Sequence, residues 1–270
     1  MKLTTQQIQL HFDGFLQTQH LWKNSNVFHL QQFDIQQKSM AIDLEIDEKL
    51  RLGKYIERFV SFQISKDKNC EIVSENIQIQ QDKITLGELD CLLYKDKKPI
   101  HLEVIYKFYL YDAIVGESEI EHFIGPNRKD SLVEKLIKLK EKQLPLLYSN
   151  QSKTYLENIN FDVQKVEQQV YFKAQLFVPF SNQHVKLLVL NQDCVAGFYI
   201  NLQELQQFST SKFFIPSKKD WLIIPYSNVN WRNFNEFTTE IEPILERQFS
   251  PMSWLKKANG EIFKIFVVWW

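Results

Sequence analysis

From Asp47 onward the apolar and polar positions fall into two alternating periods. Leu52, Tyr55, Ile56, Phe59 and Val60 recur at helical spacing, which predicts a helix over about 47–63 with Asp47 as its N-cap. After the turn-like SKDKN, residues 71–80 alternate as a strand, with Ile72, Ile77 and Ile79 set among polar neighbours. Two further strands, ITLGELDCLLY (84–94) and IHLEVIYKFYLY (100–111), flank the segment KDKKP. The second is almost continuously apolar and aromatic, the pattern of a strand covered on both faces. GPNRKD (125–130) reads as loop, and Asp130 caps a helix running to about Leu144, where Pro145 stops it. A last strand, VEQQVYFKAQLFVPF, closes at Pro179.

The flanks are less regular. Residues 4–22 form an amphipathic helix carrying Ile8, Phe12, Phe15 and Leu16, and residues 27–46 form a short strand or irregular cover. Beyond residue 181 the pattern gives strands near 185–200, a helix near 237–249 and a final strand at 261–269. The expected organisation is a cover over 1–46, an α/β core over 47–180 and an α+β extension over 181–270 packed on the core.

Composition changes this picture little: 44% hydrophobic and 24% charged residues, with 7 Gly and 8 Pro, describe a folded globular chain of long elements and short connections. Charge changes it more. A net charge of −1 excludes a protein that grips phosphates by overall positive charge, so any nucleic-acid surface must be local. Cys70, Cys91 and Cys194 are widely spaced without a CxxC pair, which argues against a disulfide framework or a zinc site and fits a reducing compartment. The first residues lack the apolar block of a signal peptide, and no apolar run approaches the roughly 20 residues that span a bilayer. A cytoplasmic protein with no membrane partner is the expectation.

The chemistry centres on the strand pair around KDKKP. If Lys95–Lys98 form the connection, Tyr94 faces Pro99 and facing residue numbers sum to 193, so Asp90 lies across from Glu103 on the same face. Their Cβ atoms would then be roughly 5 Å apart. Two carboxylates that close repel each other, and a divalent cation resolves the conflict. Alternation also puts Ile105 and Lys107 on the face of Glu103, where a lysine could orient a water or meet charge developing on a phosphate. The competing reading makes Asp90 and Glu103 solvated residues with Lys107 as a cross-strand partner. Full exposure is at odds with so apolar a strand, and unpaired buried charge is costly.

These segments carry a resemblance. GELD (87–90) and HLEVIYKFYL (101–110), preceded by GKYIERFV and followed by GPNRKDSLVEKLIKLKEKQLPLL, resemble the DUF1853 family, which is grouped with the PD-(D/E)XK nuclease superfamily. The resemblance implies a restriction-endonuclease-like core with a mixed sheet flanked by helices. It matches Asp90 to the acid of the first motif, Glu103 to that of the second, and Glu57 to the acid often carried by the preceding helix. It also implies Mg²⁺ or Mn²⁺ bound at Asp90 and Glu103. One position departs from the motif: the usual lysine falls where Ile105 stands, and Lys107 lies about 13 Å from Glu103 along an extended strand. From the residues alone, Glu57 sits at the margin of the apolar helical face, where a surface glutamate is an equal reading.

Arg128 and Lys129 precede the next helix, and Lys135, Lys138 and Lys142 share one side of it. Helix N-termini and lysines both suit phosphate, although lysines interspersed with Glu134 and Glu141 also describe a solvated face. Gln143, turned inward, either touches the pocket or caps a buried carbonyl. His122 is a further loop residue near the site in sequence. Trp221, Trp231 and Trp254 are core residues or stacking platforms. The leading expectation is a metal-dependent nuclease in which Asp90 and Glu103 bind metal, Glu57 assists, Lys107 supports the nucleophile, and Arg128, Lys129, Lys135 and Lys138 meet nucleic acid, DNA ahead of RNA. The alternative is a catalytically inactive protein of the same fold that binds nucleic acid or protein, with a homodimer left open. A two-carboxylate glycosidase fits poorly, because facing strand acids lie too close for the inverting geometry.

Overall fold

The computed structural model describes residues 3–23, 26–36 and 39–270. Its first half contains helix α1 (Thr5–Gln17), strand β1 (Gln31–Gln32), helix α2 (Leu52–Ser65) and strands β2 (Cys70–Gln81), β3 (Ile84–Lys95), β4 (Lys98–Tyr111) and β5 (Phe123–Ile124). Helix α3 (Leu132–Lys138), α4 (Asn150–Asn158) and strand β6 (Glu167–Pro179) follow. The C-terminal part holds β7 (Val195–Asn201), β8 (Lys212–Phe214), α5 (Phe234–Glu246), β9 (Met252–Lys256) and β10 (Ile262–Val268). The architecture is α/β, with mixed parallel and antiparallel strand pairing and flanking helices. Among the described residues no helix is long and apolar enough to cross a membrane.

The compact units are not consecutive stretches of chain. One comprises Met1–Phe12, His20–Tyr106 and Glu134–Lys173; the other comprises Asp13–Gln19, Lys107–Val133 and Ala174–Trp270. Residues 107–133, expected within the core, therefore group with the C-terminal residues.

In the first unit β2, β3 and β4 form an antiparallel meander, and β1 runs parallel to β6 with Gln32 opposite Val170. The β3–β4 hairpin has the predicted register, Tyr94 opposite Pro99 and Cys91 opposite Leu102. Its turn is tighter than expected: only Asp96 and Lys97 lie outside the strands, both at positive φ (50° and 67°), the signature of a type I′ turn. That turn matches the right-handed twist of the strands and fixes the register. On α2, Tyr55, Ile56, Phe59, Val60 and Ile64 are buried at the predicted spacing, which leaves Lys54 and Glu57 half-buried at the edge of that face. Asp47 does not cap this helix: its carboxylate takes the N–H of Lys49 at 2.8 Å in a separate turn, and the residue before the helix is Arg51.

Ile77, Ile79, Leu89, Leu92, Leu147, Leu156 and Phe161 make one core of this unit. At Gly87, which opens the GELD segment, the backbone lies close to the side chain of Leu146: a Cβ there would sit 2.7 Å from its Cδ2. The helix expected to end at Leu144 changes period instead. After α3 the chain makes a π-turn over Leu139–Gln143 and a 3₁₀ turn over Leu144–Tyr148, with Pro145 near its start, before α4. Ser149 caps α4 by accepting the N–H of Ser152. That helix was not apparent from periodicity.

In the second unit β7 and β10 are parallel, while β10–β9 and β9–β8 are antiparallel. Phe198, Ile200, Phe213, Phe237, Ile241, Leu255, Ile265 and Val267 fill its core. Asn233 and Glu236 close a reciprocal capping box at the start of α5. The strand expected near 185–200 is confined to Val195–Asn201, the residues before it forming a short 3₁₀ turn at Gln192–Cys194. Trp221 and Trp254 are buried at 3% and 1% exposure, so both are core residues and not stacking platforms.

Candidate metal centre

Two elements of the first unit bring three acids together. Glu57 comes from α2, at the edge of its apolar face. Glu88 and Asp90 come from β3, where strand alternation puts residues two apart on the same side. One carboxylate oxygen from each of the three lies within 4.8 Å of the others, and all three side chains are half-buried. Oxygen donors of this kind, hard and anionic, are the ligands that Mg²⁺ or Mn²⁺ selects, so the donor set fits a divalent cation.

Asp90 is held in place by the backbone of the neighbouring strand. Its Oδ2 accepts the N–H of Val104 at 2.9 Å, one step beyond the last register pair, Cys91 with Leu102. Glu103, the acid predicted across from it, is fully buried on β4. Gln143 Nε2 donates to its Oε2 at 2.7 Å, and His101 Nε2 lies 3.2 Å from its Oε1. Gln168 Nε2 donates to His101 Nδ1 at 3.0 Å and to the Leu144 carbonyl at 2.6 Å. With Nδ1 accepting, the proton of a neutral imidazole sits on Nε2 and points at Glu103. Burial pushes the His101 pKa down to about 4, in keeping with the neutral ring.

The acids are electrostatically uncomfortable. Burial raises Asp90 to about 7, the charge of Glu103 adds to it, and the Val104 N–H only partly opposes it. Glu57 is also raised to about 7, by burial first and with Asp90 adding, against the hydrogen bond from Lys54. Glu103 reaches about 7 through burial, opposed by the charge of Lys135. Both causes, lost water and like charge, are ones that a bound cation would cancel.

The amine beside these acids is Lys54, one turn before Glu57 on α2. Its Nζ donates to Glu57 Oε2 at 2.8 Å, to Asn76 Oδ1 at 2.7 Å and to Glu88 Oε1. Burial would lower the Lys54 pKa, but the bonds to Glu57 and Glu88 outweigh it and the pKa is raised. Lys135, on α3, donates to Gln143 Oε1 at 2.7 Å and so reaches Glu103 through the amide that holds it. The π-turn supplies this amide, a use of such turns that recurs at functional sites.

Several sequence expectations land elsewhere. Lys107 belongs to the second unit and pairs with Asp130 Oδ2 at 2.7 Å. Alternation along β4 put Lys107 on the face of Glu103 and gave no sign of the partner that holds it. Arg128, also in the second unit, is tied to Asp112 and stacks on Trp270 at 4.0 Å, so its guanidinium is already engaged. Lys129 and Lys138 are exposed. His122 is used locally, its Nδ1 2.7 Å from the Val115 carbonyl. The residues that sequence reasoning missed are Glu88, Lys54, His101 and Gln168. For the first two a signal existed: Glu88 stands two before Asp90 on a strand, and Lys54 three before Glu57 on a helix.

A family model described as "Domain of unknown function (DUF1853)" matches residues 4–264. No curated protein and no solved structure matches the chain.

Proposed function

This chain belongs to the DUF1853 family, and from that premise we propose that it is a divalent-metal-dependent phosphodiester hydrolase acting on nucleic acid, built on a PD-(D/E)XK-type core. The observation that carries the reading is the convergence of Glu57, Glu88 and Asp90 on one point, 4.8 Å across. These three would hold Mg²⁺ or Mn²⁺, with the buried Glu103 as a fourth acid whose charge acts on Asp90. Bound there, the cation supplies Lewis acidity toward a phosphate oxygen and toward water.

The protein's own residues do the remaining work. The Val104 N–H fixes Asp90 through its Oδ2. Gln143 and the neutral His101 hold Glu103 by both oxygens, so it keeps its orientation as charge changes around it. Lys54 and Lys135 bring positive charge to the acids, and Lys135 with the exposed Lys138 gives α3 a basic side suited to phosphate. DNA is the preferred substrate in this reading.

The test is cleavage of single-stranded, duplex and branched DNA, and of RNA, by wild type and Asp90→Asn with and without Mg²⁺. Activity that needs the metal and falls by about a hundredfold or more in the folded variant is expected. Wild-type protein inert on every substrate removes the reading. One observation favours a second reading, a member of the fold that binds without cutting: Lys107 is paired with Asp130 rather than offered to a reacting group. That protein would bind nucleic acid equally well with and without Mg²⁺.

A further inference from the structure

The ammonium of Lys54 stands where a metal reading of this site needs a cation. Its three N–H donors have three acceptors: Glu57 Oε2 at 2.8 Å, Glu88 Oε1, and Asn76 Oδ1 at 2.7 Å. Two of those acceptors belong to the same three residues whose oxygens converge within 4.8 Å. Asn76 is in the left-handed region (φ 55°) on β2, between Glu75, opposite Cys91, and Ile77, opposite Leu89. It therefore presents its amide next to the position of Asp90 and gives the ammonium a neutral third acceptor. The side chain of Lys54 is 38% exposed, and its flexible four-carbon stem leads from the first turn of α2. The amine is satisfied where it is, and it has open solvent to swing into.

From this we infer that Lys54 is a displaceable occupant of the acid cluster: a divalent cation takes its place between Glu57 and Glu88, and the released ammonium becomes a donor for a phosphate oxygen of the substrate. This rests on the reading of the acids as a cation site, and deepens it. An ammonium and a divalent cation drawn to the same two carboxylates repel each other at this range, so binding of one favours retreat of the other. The exchange keeps the cluster partly neutralised when no metal is bound and couples metal binding to the delivery of a positive charge. It also places a substrate-facing lysine on a helix that precedes the acids in the chain, with no need for the lysine two residues after Glu103.

The experiment is calorimetric titration of MnCl₂ into wild type, Lys54→Met and Asp90→Asn, each confirmed folded by circular dichroism. Removing the competing ammonium should tighten Mn²⁺ binding by about tenfold, the equivalent of one or two partly exposed charged hydrogen bonds, whereas Asp90→Asn should weaken it. In wild type, saturating Mg²⁺ should also shift the Lys54 side-chain NMR resonance, identified by its loss in the variant. If Lys54→Met does not fold, Lys54→Gln replaces it in both measurements. Wild-type Mn²⁺ binding that is unchanged or weakened in the variant overturns the displacement while leaving the metal site standing. A Lys54 resonance unmoved by saturating Mg²⁺ does the same. Absence of Mn²⁺ binding in wild type and in Lys54→Met alike removes both this inference and the metal reading.

Discussion

Buried ionisable groups occur in both compact units, and they are treated in opposite ways. In the first unit Glu57, Asp90 and Glu103 are each pushed up to about 7, and like charges contribute to the rise of every one. In the second unit Lys264 is pushed down to about 7 by burial alone. Its Nζ donates to Gln175 Oε1 at 2.9 Å and to the Trp221 carbonyl at 2.8 Å. Elsewhere in that unit Glu119 accepts the N–H groups of Leu188, Val189 and Leu190, and Arg128 is closed by Asp112 and Trp270. A lone buried charge surrounded by dipoles is a fastening, and its energy is spent on the fold. Several acids gathered at one point with Lys54 as the amine that bonds two of them disfavour the fold, and such an arrangement makes sense when something more of opposite sign is to be held.

The contrast can be tested first through pH, where the largest effect is expected. An acid whose pKa is raised on folding binds more protons in the native state than in the unfolded one, so stability falls as pH rises between the two values. Without divalent cations, urea unfolding of this protein should therefore show stability declining from about pH 4 through about pH 7. The total should be on the order of several kcal/mol, since each tenfold change in a proton's affinity for its carboxylate is worth ~1.4 kcal/mol. Saturating Mg²⁺ should flatten the decline, and Asp90→Asn should reduce it. A profile that rises over that range would mean that Lys54 and the other partners of the acids outweigh burial and like charge, and the comparison fails.

A smaller effect is expected in the second unit. Lys264→Met removes the donor that satisfies Gln175 and the Trp221 carbonyl, and should cost about 3 kcal/mol in urea unfolding while leaving Mn²⁺ affinity alone. The smallest effect is expected at Lys107, whose ion pair with Asp130 is partly exposed. Lys107→Ala should change stability by less than about 1 kcal/mol and leave Mn²⁺ affinity unchanged. A Mn²⁺ affinity that dropped tenfold in Lys107→Ala would return that residue to the site and blur the distinction between the units.

What could be read from the chain beforehand was local. The β3–β4 register followed from the turn segment and two-residue alternation, and it correctly aligned Cys91 with Leu102 and drew attention to Asp90 and Glu103. The burial of Glu103 followed from the apolar density of β4. Glu88 was legible by the same alternation applied one pair earlier on β3. Lys54 was legible by helical spacing from Glu57. The partners of Glu103 were not, because Gln143 is carried by a π-turn, and a change from 3.6 residues per turn leaves no mark in an apolar pattern. Gln168 lies 67 residues from the His101 it orients, and the pairing of Lys107 with Asp130 spans 23. Such contacts depend on how elements pack, which periodicity does not encode. The interleaving of the two units is of the same kind.

The two-residue turn at Asp96 and Lys97 governs more than a bend. Successive side chains of β4 point to opposite sides, so the length of that connection decides which half of the strand meets Glu57 and Asp90. Were the connection to take one more residue from β4, so that Lys95 faced Pro99, Leu102 and Val104 would replace His101 and Glu103 on that side. The protein would keep its hairpin and lose its fourth acid together with the imidazole that steadies it. Chain length at this one corner is thus as much a part of the chemistry as any carboxylate, and a comparison of natural variants should find the number of residues between the two strands fixed even where their identities drift.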